Sequence, residues 1–209
     1  MSPGLLHNAA LIRTQPCPPM QATQRTYPVE IAGLKRELPL FRVASGVRIA
    51  VLNILGDTAL VQAAASGLAN RLAVLDYGVL VTAEAKSIPL VHALSVATGR
   101  PYAVLRKSYK PYMGDALSAT THSITTGDEQ TLYLDAKDRD LVADARIVLV
   151  DDVISSGSTL EAMRKIMDHA GAIIAGEAAI MTEGDRSDWS EVIALGHLPI
   201  FDDDEAAAD

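Results

Sequence analysis

At 209 residues the chain is long enough for one domain with a full hydrophobic core. Apolar residues make up 49% of it and aromatics only 4%, an Ala-, Val-, Leu- and Ile-rich mixture that suits an α/β fold with buried strands. A net charge of −8 argues against a general nucleic-acid partner, which needs a basic face; a small anionic ligand remains open, because it needs only a local nest of amides and a few cations.

Residues 1–25 read as a polar, proline-rich disordered leader. The single cysteine, Cys17, lies there in Gln15-Pro16-Cys17-Pro18-Pro19. A lone cysteine allows no intrachain disulfide and fits a reducing cytosol. No basic segment followed by a long apolar run marks a signal peptide, and no stretch of about 18 apolar residues marks a membrane span. One domain is expected over 26–201, followed by an acidic, Ala-rich tail over 202–209.

Residues 47–52 read as a strand. Asp57, after Gly56, is a good helix N-cap, and Leu60, Val61, Ala64, Leu68 and Leu72 recur behind it at helical spacing. Residues 79–82 form a second strand. Ser87 is placed to cap a helix with Leu90, Val91, Leu94 and Ala97, stopped by Gly99 and Pro101. A third strand spans 102–105. Residues 106–130 hold neither period and read as a long loop or ribbon, a length often found in active-site covers. A strand resumes over 131–134. Residues 147–150 are apolar on both faces, the mark of a central strand. Ser158 or Thr159 caps the next helix, which carries Leu160, Met163, Ile166, Met167 and Ala170 and ends at Gly171. Strands near 173–180 and 191–195 follow. This order predicts a mostly parallel twisted sheet with helices on both faces.

In such sheets ligands bind beyond the carboxyl ends of the strands. Here the central strand is expected to end at Val150. Asp151 and Asp152 follow, then Ser155, Ser156, Gly157, Ser158 and Thr159 turn into a helix start. Small residues allow a tight turn with inward amides, and the helix start adds partial positive charge, so a phosphate sits there favourably. The hydroxyls of Ser156, Ser158 and Thr159 are donors to its oxygens. Asp151 and Asp152 would repel a phosphate; they suit diol hydroxyls and a hydrated Mg²⁺. Neither G-x-x-x-x-G-K-[ST] nor G-x-G-x-x-G occurs.

Residues 147–159 resemble the phosphoribosyl-pyrophosphate motif of type I phosphoribosyltransferases. That motif has four apolar residues, two acids, two mostly apolar positions, a variable one, then Thr-Gly-Gly-Thr or a close variant; here it ends Ser156-Gly157-Ser158-Thr159. The likeness covers roughly 47–181 and is greatest to adenine phosphoribosyltransferase-like proteins. It implies a type I phosphoribosyltransferase-like fold with a small hood over 27–57 and a flexible cover over 108–130. It also implies a pyrophosphate loop at Glu84, Ala85 and Lys86. Arg106, Lys107 and Lys110 would reach phosphate oxygens, in some relatives across a dimer interface.

The implied reaction moves ribose 5-phosphate from 5-phosphoribosyl-1-pyrophosphate to a nucleobase, a purine such as adenine, and releases pyrophosphate. Asp151 and Asp152 are the implied catalytic pair and hold Mg²⁺ through water. A cytoplasmic homodimer is expected, without nucleic-acid or membrane partners. Two departures stand out. Thr125, in Ser123-Ile124-Thr125-Thr126-Gly127, takes the place of the catalytic acid of adenine enzymes. Ser155 takes the place of an Asp in 6-oxopurine enzymes. The proton-transfer residue stays open among Asp115, Asp128 and Glu129. The alternative is a non-catalytic phosphoribosyl-pyrophosphate or nucleotide sensor of the same fold. Trp189 reads as packing rather than base stacking, and His197 as a structural polar residue.

Overall fold

A computed structural model describes residues 25–44, 46–122 and 129–202. In chain order its elements are β1 (Thr26–Ile31), β2 (Leu34–Ala44), β3 (Val47–Ala50), α1 (Thr58–Leu72), β4 (Val79–Ala83), α2 (Ile88–Thr98), β5 (Tyr102–Leu105), β6 (Leu117–His122), β7 (Glu129–Leu134), α3 (Arg139–Val142), β8 (Arg146–Ile154), α4 (Ser158–His169), β9 (Ile173–Glu183), β10 (Ile193–Leu198) and β11 (Ile200–Asp202).

Among the described residues, five strands form a parallel sheet in the order β10-β9-β8-β4-β5. β8 lies at its centre, as an apolar run on both faces requires. Successive side chains on a strand point to opposite faces. Val148 and Val150 therefore enter one core with α1 and α2, while Ile147 and Leu149 enter the other with α4. All four are fully buried, each contributing about 1.5–3 kcal/mol.

α1 begins as its sequence predicts: the Asp57 carboxylate accepts the Leu60 amide at 3.1 Å. Arg36 forks onto the same carboxylate at 2.7 and 2.9 Å, tying β2 to the start of α1. That guanidinium, and then the Leu60 amide, hold the Asp57 carboxyl below its ordinary range. α2 ends where Gly99 turns left-handed (φ 67°).

The strand expected over 47–52 is β3, and it belongs to a separate antiparallel sheet, β1-β2-β3-β11. This is the hood. Its fourth strand comes from residues 200–202, which no sequence pattern announced; Tyr27 meets Phe201 edge-on at 5.0 Å across it. The stretch 106–130 is a ribbon more than a loop. β6 and β7 pair antiparallel, and Leu132 and Leu134 are fully buried in the α4 core. Much of the expected cover is thus anchored, and its tip, with Thr125 and Asp128, lies outside the described residues. No helix among the described residues is long and apolar enough to cross a membrane.

Two boundaries differ from expectation. β8 continues through both acids to Ile154, because β9 keeps pairing with it as far as Thr182. α4 starts at Ser158, so neither Ser158 nor Thr159 is its cap. That position falls to Gly157, whose φ of 73° suits a residue without Cβ.

Candidate active site

The chain leaves β4 through α2 toward β5 and leaves β8 through α4 toward β9, in opposite directions. Neighbouring strands that part this way open a crevice at their carboxyl ends. The last β4–β8 pair is Thr82 with Val150. Beyond it two ladder groups need new partners. The Thr82 hydroxyl donates to the Val150 carbonyl at 2.7 Å. The Asp152 amide donates to Ser87 Oγ at 2.9 Å and to Asp151 Oδ1 at 2.9 Å.

Ser87 Oγ in turn stands 2.6 Å from Asp151 Oδ1 and 3.0 Å from Asp152 Oδ1. The expectation that Ser87 caps α2 is corrected: it occupies the N-cap position but makes no cap bond, because its hydroxyl is turned to the acids. Lys86 Nζ lies 3.0 Å from Asp152 Oδ2. That oxygen is buried and accepts no well-directed hydrogen bond. Burial, and then the Asp152 charge beside it, push the Asp151 carboxyl up to about 7; the Ser87 hydroxyl works against that shift.

Next to the acids, the turn out of β8 shapes a small open pocket. Its walls are Asp151, Val153, Ile154, Ser155, Ser156, Gly157, Ser158, Thr159 and Leu160. The first-turn amides of a helix have no intrahelical acceptor, so this wall favours an anion. Ser156 Oγ and Ser158 Oγ sit 3.1 Å apart. Gly157 is closely backed: a Cβ there would lie 2.8 Å from the Trp189 ring. The indole is pinned by its Nε1–H, which donates to the Glu183 carbonyl at 2.8 Å. Trp189 therefore buttresses the turn at 155–159. His197 pairs through Nδ1 with the Thr182 hydroxyl at 2.9 Å.

Of the remaining expected site residues, Glu84, Arg106 and Lys107 form a second cluster. The Glu84 carboxylate takes Arg106 Nε at 2.6 Å and the Lys107 amide at 2.5 Å, and that bond holds the Arg106 guanidinium above its ordinary value. Glu84 thus orients the Arg106 guanidinium and fixes the backbone at Lys107. Ala85 and Lys86 are exposed between the two clusters, and Lys110 is exposed before a 3₁₀ turn at Pro111–Met113. Asp115 pairs with Arg139 at the surface, 3.0 Å away, and does not line the pocket; the Glu129 side chain lies outside the described ones. Ser87 and Thr82 escaped the sequence reading as site residues, since their partners lie 64 to 68 positions away.

No three His, Cys, Asp or Glu side chains converge among the described residues. Two carboxylates, one with a buried oxygen short of a donor, fit a hard hydrated cation that takes its remaining oxygens from water and ligand. They do not form an all-protein cage.

Known proteins agree with this architecture. Residues 59–194 match the family model of the phosphoribosyl transferase domain. HGPRTase-like protein 3 of Haloterrigena turkmenica is 35% identical over 66% of this chain and 71% of its own. A hypoxanthine/guanine phosphoribosyltransferase of Methanococcus voltae is 36% identical over 51% of this chain and 53% of its own. The Giardia lamblia APRTase complexed with 9-deazaadenine superposes with a TM-score of 0.64 at 17% identity, over 77% of this chain and 93% of that one. Adenine phosphoribosyltransferase from Thermoanaerobacter pseudethanolicus does so with a TM-score of 0.62 at 18% identity, over 77% and 95%. The structural likenesses establish a shared fold. Taken with a family match across both βα junctions of the crevice, they establish that the chain belongs to the phosphoribosyltransferase family.

Proposed function

We propose that this protein transfers ribose 5-phosphate from 5-phosphoribosyl-1-pyrophosphate to a purine base and releases pyrophosphate. One observation carries the reading. An anion-favouring turn, two adjacent carboxylates and an ammonium group meet at a single strand crevice. The 5-phosphate sits on Ser155, Ser156, Gly157, Ser158 and Thr159. The ribose hydroxyls face Asp151 and Asp152. Pyrophosphate lies toward Lys86 and the start of α2, with Arg106, Lys107 and Lys110 beyond.

As the bond from the anomeric carbon to pyrophosphate breaks, positive charge builds on that carbon. The two carboxylates offset it from fixed positions, which need no reorganisation at the moment of reaction. Lys86, half-exposed beside Asp152, offsets the charge of the leaving group. Mg²⁺, held by Asp151 and Asp152, would supply further neutralisation of pyrophosphate. A ring nitrogen of the base then bonds to the carbon, and the proton it carried passes to water.

The names of relatives support a purine from two directions: hypoxanthine or guanine by sequence, adenine by fold. A panel of radiolabelled adenine, hypoxanthine and guanine with phosphoribosyl pyrophosphate and Mg²⁺ tests this. Nucleotide is expected from at least one base. Ser155 and Thr125, hydroxyls where the family pattern has acids, favour a second reading as a non-catalytic sensor. Tight binding of phosphoribosyl pyrophosphate with no nucleotide from any base would establish that reading instead. We further place the protein in the cytoplasm as a homodimer; light scattering coupled to size exclusion checks the dimer.

A further inference from the structure

We propose that Ser87 is a positioning residue for the transfer: its hydroxyl sets Asp151 and Asp152 side by side and couples them to the loop that carries Lys86. This deepens the transferase reading above and rests on it.

Adjacent residues on a strand send their side chains to opposite faces, and two carboxylates brought together repel. Left alone, Asp151 and Asp152 would diverge. Instead, Oδ1 of each lies within hydrogen-bonding distance of one Ser87 oxygen, at 2.6 and 3.0 Å. Ser87 is 1% exposed, so water does not compete for these contacts. It stands beyond the last β4–β8 pair, where the Asp152 amide has lost its strand partner, and accepts that amide at 2.9 Å. Both capacities of the hydroxyl are therefore used on one segment: it accepts from the backbone and donates its single proton to the acid pair.

A serine at this position ordinarily gives its oxygen to its own helix. Here α2 goes without that bond and is held by burial of Leu90, Val91 and Leu94, all fully enclosed. Lys86, one residue earlier, faces Asp152 Oδ2 at 3.0 Å. Three of the four carboxylate oxygens thus answer to two consecutive residues of the pyrophosphate loop, while Asp151 also forms part of the pocket wall.

The chain's only tryptophan, Trp189, packs on the phosphate turn, so its fluorescence reports occupancy there. The full-length wild type, Ser87→Ala and Ser87→Thr would be titrated with Mg²⁺–phosphoribosyl pyrophosphate and, separately, with inorganic phosphate. Loss of a hydrogen bond to charged groups should weaken the alanine variant about ten- to hundredfold toward the activated sugar. Its phosphate affinity should not move, and threonine should restore most of the loss. Equal affinity of wild type and Ser87→Ala for the activated sugar overturns the inference. So does equal weakening toward both probes, which marks a general loosening. A wild type that binds neither probe overturns the transferase reading and this inference with it.

Discussion

Two strand–turn–helix junctions stand side by side at the carboxyl end of the sheet, and they solve different problems. After β8, the turn 155–159 keeps its hydroxyls and amides on the wall of an open pocket. After β4, the turn spends its side chains on protein partners: Glu84 on Arg106 and Lys107, Lys86 on Asp152, Ser87 on both acids. One junction is a cradle built from local conformation. The other is a brace built from contacts between distant segments. A cradle needs small residues and a helix start; a brace needs side chains of matched charge and length. The same secondary-structure plan therefore shapes an open pocket at one junction and orients its neighbour's acids at the next.

The largest effect is expected where brace and cradle meet. Asp152→Asn keeps the shape of the side chain but removes a charge that Lys86 faces and that, in the proposed reaction, offsets the developing ribosyl cation. Turnover should fall about 10²- to 10³-fold, the range for loss of one preorganised electrostatic group, with the circular-dichroism spectrum unchanged. Steady-state rates with the accepted base check this. Turnover close to wild type would mean that the acids brace the loop without serving the reaction.

Next in size is a test of the cradle alone. Gly157→Ala places a Cβ 2.8 Å from Trp189 on a backbone at φ 73°. The left-handed conformation by itself costs an L residue about 1–2 kcal/mol. The melting temperature should drop, and inorganic phosphate should bind more weakly. Adding Trp189→Leu should recover only the part owed to collision, since the backbone angle is untouched. Full recovery in the double variant would show that the glycine is needed for space and not for conformation.

The cradle was legible in the sequence and the brace was not. Four buried aliphatics, two acids and a run of Ser and Gly lie within thirteen residues of one another, so their pattern states strand, turn and helix directly. Ser87 reads equally well as an ordinary cap, and only the parallel pairing of β4 with β8 shows that its hydroxyl points elsewhere. The hood was half-legible for the same reason. β3 follows from its own residues, but β11 joins it from far later in the chain, pairing Ile200 with Ile49 and Phe201 with Arg48. The end of β8 was misjudged because charge suggested a turn, while β9 continued to offer backbone partners as far as Thr182.

The acids also give the comparison a pH dependence. Burial and its neighbour push the Asp151 carboxyl up to about 7, against about 4 in an unfolded chain. The ligand-free folded state therefore holds more protons than the unfolded state across that window. Its stability should fall as pH rises from about 4 to about 7. Melting temperatures should follow that slope in the wild type and much less in Asp151→Asn. Mg²⁺–phosphoribosyl pyrophosphate favours the charged form, so it should stabilise the wild type more above this window than within it. A slope that survives in Asp151→Asn would place the titration on another group.

The smallest effect comes from a third junction, β3 to α1, which supplies the ordinary case against which the brace is judged. Asp57 does what Ser87 does not: its carboxylate accepts the Leu60 amide of its own helix. Losing such a cap typically costs about 1 kcal/mol, and the same substitution also releases the Arg36 fork from the start of α1. Asp57→Ala should lower the melting temperature by a few degrees and leave the affinity for Mg²⁺–phosphoribosyl pyrophosphate unchanged. Ser87→Ala removes no cap from α2 and leaves the Asp152 amide its bond to Asp151 Oδ1, so its stability cost should be small and its main effect should fall on affinity. The two alanine variants are thus matched in position, at the residue before a helix, and opposed in readout. If both lose stability alone, position explains Ser87 and the brace dissolves into ordinary capping. If they separate as expected, the same N-cap position holds a helix in one junction and a pair of acids in the other.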